Sequence, residues 1–324
     1  MALLKNSNKL TDQLIPNTGF GTNASSYGGR LINKDGSYNL KKSGVGFFEK
    51  YSWFHSMLTI SRIKFFLIIL CFYISVNLLF TVVYYLVGVH HLKGLDVTSE
   101  LDKFLEAFFF STQTFTTVGY GRISPSGLVM SAVSSFQALI GLLSFALATG
   151  LMYGRFGMPK AYIKFSTEAL ISPYQGGTGL MLRFTPFKNT PALIDVEAKI
   201  SLAIIVNEKE TLQNKFYNLA LETNKINALA LSWTLVHPID KDSPLWGFSS
   251  QDFENTKGEL LVYIKAFDDT FSNNVIARTS YTFGEIRYGK KFTPMYKRDD
   301  TGQTTVLHVE LLNTYTEVTM PLIN

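Results

Sequence analysis

Residues 116–122 read TTVGYGR, set between a short apolar stretch and a long one. As an isolated pentapeptide TVGYG is compatible with an ordinary turn, since Gly takes φ > 0 freely and Tyr is common beside loops. Its flanks decide otherwise. Residues 65–89, FFLIILCFYISVNLLFTVVYYLVGV, form 25 positions without a charge, and residues 123–154 add 32 more. Both exceed the ~20 residues that cross a hydrocarbon core as a helix, so both predict membrane spans. The first begins after more than sixty polar and mixed residues, so it is no cleaved signal peptide.

Between the spans lies a third apolar piece, residues 104–115, FLEAFFFSTQTF. As a helix it is roughly 18 Å long, too short to cross, so it enters and returns. Backbone at membrane depth survives there only when buried in protein or lining a wet cavity. TVGYG therefore sits at the end of a half-helix, whose C-terminus favours a cation. Thr117, Val118, Gly119, Tyr120 and Gly121 can then turn their carbonyls inward, the two glycines permitting the angles. Rings of such carbonyls replace the hydration shell of potassium, and TVGYG is the known signature of that loop, so selectivity comes from the match and not from the angles. The expected potassium ligands are the backbone carbonyls of Thr117, Val118, Gly119 and Tyr120 with the Thr117 side chain. One chain supplies one wall, so the partners expected are three identical subunits.

Lys and Arg placement predicts orientation. Residues 1–64 carry nine Lys and Arg against three acids, and Arg155 and Lys160 follow the second span. The positive-inside rule puts both termini in the cytoplasm of a cell (inner) membrane. Residues 155–324 are net neutral, so the basic balance belongs beside the membrane: anionic lipids are expected partners, with Arg62, Lys64 and Arg155 as candidate contacts, and nucleic acid is not. The single Cys71 lies within the first span and admits no disulfide within one chain.

The order span, short helix, TVGYG, span is common to many potassium channels, and the flanks narrow it. RLINKDGSYNL (30–40) and FFEKYSWFHSMLTISRIK (47–64) resemble the N-terminal strand and interfacial slide helix of inward-rectifier potassium channels. LMLRF (180–184), SWTLVHPIDKDSPLWG (232–247) and ARTSYTFGEIRYGKKF (277–292) resemble successive motifs of that family's cytoplasmic domain. GYGRISP, with Pro125 four residues after the filter, resembles the prokaryotic, KirBac-type branch. The likeness covers roughly residues 30–315. It implies an α+β membrane protein: a two-transmembrane-helix potassium-channel pore with a re-entrant pore helix, plus a cytoplasmic immunoglobulin-like β-sandwich. The expected layout is a disordered tail over 1–29, strand and slide helix over 30–61, and a pore domain over 62–158. Within the pore domain the outer helix spans 62–89, the pore helix 102–115, the filter 117–121 and the inner helix 126–155. The sandwich takes 159–324. No cofactor is implied; potassium is the permeant ion.

The second span has no Asp or Glu, and the position holding an acid in strongly rectifying members aligns with Phe145. The resemblance therefore implies weak rectification, with polyamines or magnesium as weak blockers. Gln137, Gly141, Phe145, Thr149 and Tyr153 recur every four residues and can share one helix face, taken here as pore lining, with Phe145 and Tyr153 as the constriction. A helix-packing stripe is the alternative for any one of them, and Gly141 and Gly150 also suit close packing or a hinge. Eukaryotic members brace the filter with a pore-helix Glu and an Arg two residues beyond GYG. Here Gln113 and Arg122 stand instead, so that brace is not expected. Met158 replaces an activating Lys, so activation by phosphoinositide is not expected either.

The remaining half reads as a sandwich without the name. SLAIIV, TLQNKFYNLAL, ALALSWTLV, ELLVYIKAF, TSYTF and TVLHVELL are short, β-branched and aromatic, and separated by turn residues. GGTG (176–179) leads straight into a strand, against a dinucleotide site. His237, Asp240 and Ser243 are too close in one loop to face one another as a hydrolase triad, so no enzyme is expected. His90 and His91 lack a third metal ligand. Glu106 is placed in the first turn of the pore helix, where an acid suits the dipole, and Phe108, Phe109 and Phe110 pack that helix against the spans. The alternatives are a nonselective cation channel and a membrane-anchored sensor with a non-conducting pore.

Overall fold

A computed structural model describes residues 14–15, 19–20, 29–50, 52–189, 192–208 and 211–321. The chain forms two compact units, residues 43–158 and residues 1–42 with 159–324.

The first unit is helical. After a single turn, α1 (Phe47–Lys50), come α2 (Trp53–Thr59) and α3 (Arg62–Val87). Ser52 and Ser61 cap α2 and α3, each accepting from the amide three residues on. α3 ends at Gly88, whose φ of 112° breaks the helix. The sixteen-residue α4 (Glu100–Phe115) and the long α5 (Leu128–Phe156) follow. A two-residue pairing of β1 (Leu92–Lys93) with β2 (Ser124–Pro125) closes the loops that flank α4. α3 and α5 are long and apolar enough to cross a membrane; α4, at about 24 Å, is not. Tyr84, Phe110, Ala107, Met130 and Phe80 form the core where the three helices meet.

The second unit is a β-sandwich. One sheet runs β11 (Asn273–Thr282), β10 (Gly258–Asp268), β6 (Leu193–Glu208), β7 (Thr211–Leu219), with β8 (Lys225–Leu229) also on β6. The other runs β12 (Ile286–Tyr288), β4 (Ala169–Tyr174), β5 (Gly177–Pro186), β3 (Ile163–Phe165), with β9 (Trp233–Ile239) also on β5. Alternate residues meet between the sheets: Leu180, Leu182 and Phe184 from β5, Ile200, Leu202 and Ile204 from β6, Leu260, Val262 and Ile264 from β10. The hairpin β4–β5 turns on Gln175 and Gly176, both at positive φ, the turn that matches strand twist.

Several expectations change. ALALSWTLV is two strands, because β8 pairs in one sheet and β9 in the other. TVLHVELL is a short strand, β15 (Thr305–Leu307), followed by a 3-10 turn. The turn offers the carbonyls of Leu311 and Leu312 to Arg183, a buried guanidinium on β5 that also takes those of Thr293 and Thr314. Burial pushes the Arg183 pKa down to about 10, and these acceptors satisfy its donors in place of water.

RLINKDGSYNL is no ladder strand either: a lone bridge joins Ile32 to Tyr38. What holds it is a buried carboxylate, Glu259, accepting from the amides of Leu31 (2.7 Å) and Ile32 (3.1 Å), while Arg30 pairs with Glu285. The tail expected to be disordered over 1–29 lies mostly outside the described residues. Within it, Leu14 bridges to Tyr217 and Ile15 donates to the Phe216 carbonyl, so this part is paired.

Candidate ion-conduction site

The TVGYG segment leaves the C-terminus of α4. Thr117 donates its amide to the Thr114 carbonyl, and the amides of Val118 and Gly119 both turn back to the Gln113 carbonyl at 3.0 and 3.3 Å. From there φ is positive at Thr117 (57°), Gly119 (52°) and Gly121 (83°), but not at Val118 or Tyr120. A strand throws successive carbonyls to opposite sides; this alternation of hand lets them face one side. Sequence reasoning assigned the unusual angles to the two glycines alone. Thr117 shares them, at a strain of roughly 1–3 kcal/mol for a side-chain-bearing residue. Val118 and Tyr120 are exposed in the single chain.

The loop has a brace after all. Arg122 forms an ion pair with Glu106, made from other residues than the family comparison led us to look for. Glu106 is not in the first turn, because α4 begins at Glu100 and the acids of its first turn are Glu100 and Asp102. One and a half turns in, it reaches the loop that follows TVGYG. Of the three adjacent phenylalanines, Phe110 is buried against Tyr84 (ring centroids 5.2 Å), whereas Phe109 is half exposed.

The proposed lining of α5 divides in two. Phe145, Thr149 and Tyr153 are exposed in the single chain, Phe145 at 73% and Tyr153 at 81%. Gln137 and Gly141 are not lining residues. Both are buried against α4 of the same chain: Gln137 bonds to Tyr84 and Ser111, and Gly141 abuts the Phe115 carbonyl. The four-residue spacing is real, but where α5 passes α4 its first two positions are used for packing. Gly150 has open space where a Cβ would stand.

With this geometry in hand, comparison with known families is decisive. Residues 163–324 match the model of the inward rectifier potassium channel C-terminal domain, and residues 65–156 match an ion channel model. The chain is 32% identical over 274 residues to the inward rectifier potassium channel Kirbac3.1 of Paramagnetospirillum magnetotacticum, covering 82% of this chain and 89% of that one. This chain belongs to the inward rectifier potassium channel family. It is also 27% identical over 299 residues to the G protein-activated inward rectifier potassium channel 2 of Mesocricetus auratus (84% of this chain, 68% of that one) and of Homo sapiens (84% and 69%). It is thus a membrane channel of the prokaryotic Kir type with a cytoplasmic β-sandwich, an ion channel and not an enzyme, and potassium is its permeant ion.

In this channel Arg155, near the end of α5, donates to the carbonyls of Met57 (2.5 Å) and Ile60 (2.7 Å) and lies 4.4 Å from the Phe65 ring centroid. Its charge thereby caps the C-terminal end of α2, where a cation is favoured. Arg62 and Lys64 are exposed. The second basic feature was legible in the sequence; the carbonyl contacts were not, because no side-chain pattern marks them.

The HPIDKDSP loop also departs from expectation. His237 and Ser243 do face each other, Nε2 to Oγ at 2.8 Å, and both are buried. Nδ1 lies 2.6 Å from the Ala220 carbonyl, which only accepts, so Nδ1 carries the proton and Ser243 donates to Nε2. Asp240 accepts instead from the amides of Asp242 and Ser243. Burial pushes the His237 pKa down, opposed by the Ala220 bond and Asp240. The arrangement is a neutral core histidine and not a triad. The His90 and His91 rings lie 4.1 Å apart, tilted by 43°, and no group of three potential metal ligands occurs among the described residues.

Proposed function

We propose that four copies of this chain form a potassium-selective channel whose filter is Thr117, Val118, Gly119, Tyr120 and Gly121. The carbonyls of Thr117–Tyr120 and the Thr117 hydroxyl hold the ion. The observation that carries this is the alternation of positive and negative φ from Thr117 to Gly121, directly after a helix too short to span. Phe145 and Tyr153 close the pore below it by dewetting. Both termini are cytoplasmic, as the basic residues flanking the spans favour. With no carboxylate on the lining of α5, magnesium and polyamines block weakly, so rectification is weak.

Anionic lipid modulates the gate. Arg62 and Lys64 supply exposed charge at the start of α3, and Arg155 holds the corner that they flank. Each basic side chain near an anionic surface gains about 1 kcal/mol, enough in sum to bias states that differ by a few kcal/mol.

Purified protein in liposomes tests the reading. Uptake of potassium or rubidium, with sodium excluded, is expected. Equal uptake of sodium and potassium would make it a nonselective pore, and no uptake of either a membrane-anchored sensor.

A further inference from the structure

Four of the polar side chains fully buried among the apolar faces of the helices bond to one another: Asn77 and Tyr84 on α3, Ser111 on α4 and Gln137 on α5. Their hydrogen bonds are mutual and consistent in sense. Tyr84 donates its hydroxyl to Gln137 Oε1. Gln137 Nε2 donates to Ser111 Oγ (2.6 Å) and to the Ser111 carbonyl (3.0 Å). Ser111 Oγ donates onward to Asn77 Oδ1 at 2.9 Å, and Asn77 Nδ2 ends the chain on the Tyr73 carbonyl at 2.8 Å. Apolar side chains of similar volume would fill this space without the desolvation that buried polar groups carry. The cluster therefore calls for an account beyond packing.

Its place along α4 supplies one. Ser111 stands one turn before Phe115, the last residue of α4, and six residues before Thr117. On α5, Gln137 and Gly141 are also one turn apart and share a face. The two pairs are in register: Gln137 meets Ser111, and Gly141 lies so near the Phe115 carbonyl that a Cβ there would be 1.9 Å from the oxygen. α3 repeats the grip, with Asn77 on Ser111 and the Tyr73 ring edge-on to Phe115 at 5.7 Å. The last turn of α4 is thus clamped from both spans, and the Gln113 carbonyl in that same turn accepts the amides of Val118 and Gly119.

We propose that Gln137, Tyr84, Asn77 and Ser111 are positioning residues for ion selection, fixing the rotation and depth of the last turn of α4 and, through Gln113, the carbonyl geometry of the filter. The cluster touches no ion. It acts by removing freedom from the segment that carries the carbonyls, as any preorganised site requires. The inference rests on the potassium-channel reading above, and the two fail separately: the parent protein's own selectivity tests that reading, and the change in selectivity on substitution tests this one.

Tyr84→Phe deletes one oxygen and leaves the ring on Phe110, while Ser111→Ala removes the hub. Both are compared with Ser135→Ala, whose hydroxyl bonds only within α5, to the Ser131 carbonyl. Rubidium and sodium uptake would be measured in liposomes, with assembly followed by size exclusion. The expected result is an assembled protein whose rubidium-to-sodium uptake ratio falls at least threefold in Tyr84→Phe and further in Ser111→Ala, with Ser135→Ala at the parent ratio. A ratio within twofold of the parent in both, at normal assembly, would overturn the proposal, as would an equal fall in Ser135→Ala. Loss of assembly in both would assign the cluster to folding and overturn it too. If only Ser111→Ala fails to assemble, Tyr84→Phe decides.

Discussion

Gly141 and the Phe115 carbonyl are in direct backbone contact, with room for a hydrogen on Cα and for nothing larger: a Cβ would lie 1.9 Å from the oxygen. The obstacle is backbone, at the end of α4, so it cannot swing aside as a side chain would. Gly141→Ala must push α5 away from α4 or turn the Phe115 peptide, and the TVGYG segment begins two residues later. Overpacking of this kind typically costs 1–3 kcal/mol. We expect Gly141→Ala to lower both the thermal stability of the assembled protein and potassium uptake per assembled protein, while Gly150→Ala, where a Cβ has open space, leaves both near the parent. Equal behaviour of the two variants would show that the contact is not limiting.

Gly119 offers the complementary case. Nothing lies within 4 Å of a Cβ placed there, yet φ is 52°. Within one chain, any penalty for Gly119→Ala is then conformational and not steric. Potassium uptake is expected to vanish with assembly largely retained; undiminished, selective uptake in Gly119→Ala would mean that the left-handed angle is dispensable for conduction.

The two spans, the short helix between them and the TVGYG segment were legible in the sequence, because each is written in local chemistry: uncharged runs longer than a bilayer, a run too short for one, and a five-residue signature. The sandwich was legible as a class for the same reason, through alternation and turn residues. What the sequence could not show were contacts whose partners are distant or are backbone. Gln137 and Phe145 sit on the same four-residue repeat, and only the path of α5 past α4 decides that one is buried and the other exposed. Arg155 reads as a candidate lipid contact, and nothing in the sequence marks the Met57 and Ile60 carbonyls at its tip. His237 and Ser243 looked too close in sequence to meet, yet β9 turns back through the Asp240 loop and brings them to 2.8 Å.

That buried histidine ties stability to pH. His237 is held neutral, with its pKa pushed below the ordinary 6.5 chiefly by burial. Below pH 6.5 the unfolded chain binds a proton that the folded one does not, so stability is full above that pH and declines as pH falls toward the folded pKa. The slope from one such group is at most about 1.4 kcal/mol per pH unit. Replacement by glutamine removes the titration while keeping a donor and an acceptor. Melting temperature between pH 7.5 and 5.5 is expected to fall less steeply in His237→Gln than in the parent; parallel profiles would mean that other groups control the acid limb.

Phe145 tests the rectification reading. It is exposed on α5 at the position that the family resemblance aligns with the acid of strongly rectifying members, and no carboxylate occurs from residue 123 to 154. Internal spermine is expected to block the parent only weakly. Phe145→Asp adds a carboxylate to each of four chains and removes the rings that dewet the constriction, so block by spermine should strengthen at least tenfold while unblocked flux rises. Steep block in the parent would place the site on acids of the cytoplasmic unit instead.

Arg155, finally, separates lipid binding from helix coupling. Its guanidinium is committed to the carbonyls of Met57 and Ile60, whereas Arg62 and Lys64 stand exposed one turn away at the start of α3. An anionic headgroup therefore meets Arg62 and Lys64 first. With Met158 where activating relatives carry Lys, phosphoinositide is expected to inhibit rubidium uptake or to leave it unchanged, and inhibition, where seen, should depend on those two charges. Removing two charges worth about 1 kcal/mol each should raise the lipid concentration for half inhibition at least tenfold in the double variant Arg62→Ala, Lys64→Ala. Arg155→Ala acts differently: it uncaps α2 and frees the corner between α2 and α3, so uptake should change with no phosphoinositide present. Arg155→Lys retains the charge but cannot reach both carbonyls with a planar fork, and should follow Arg155→Ala in vesicles without phosphoinositide while keeping the parent's phosphoinositide sensitivity. If Arg155→Lys instead behaves as the parent in both vesicles, charge alone suffices and the two carbonyl contacts are not what couples α5 to α2.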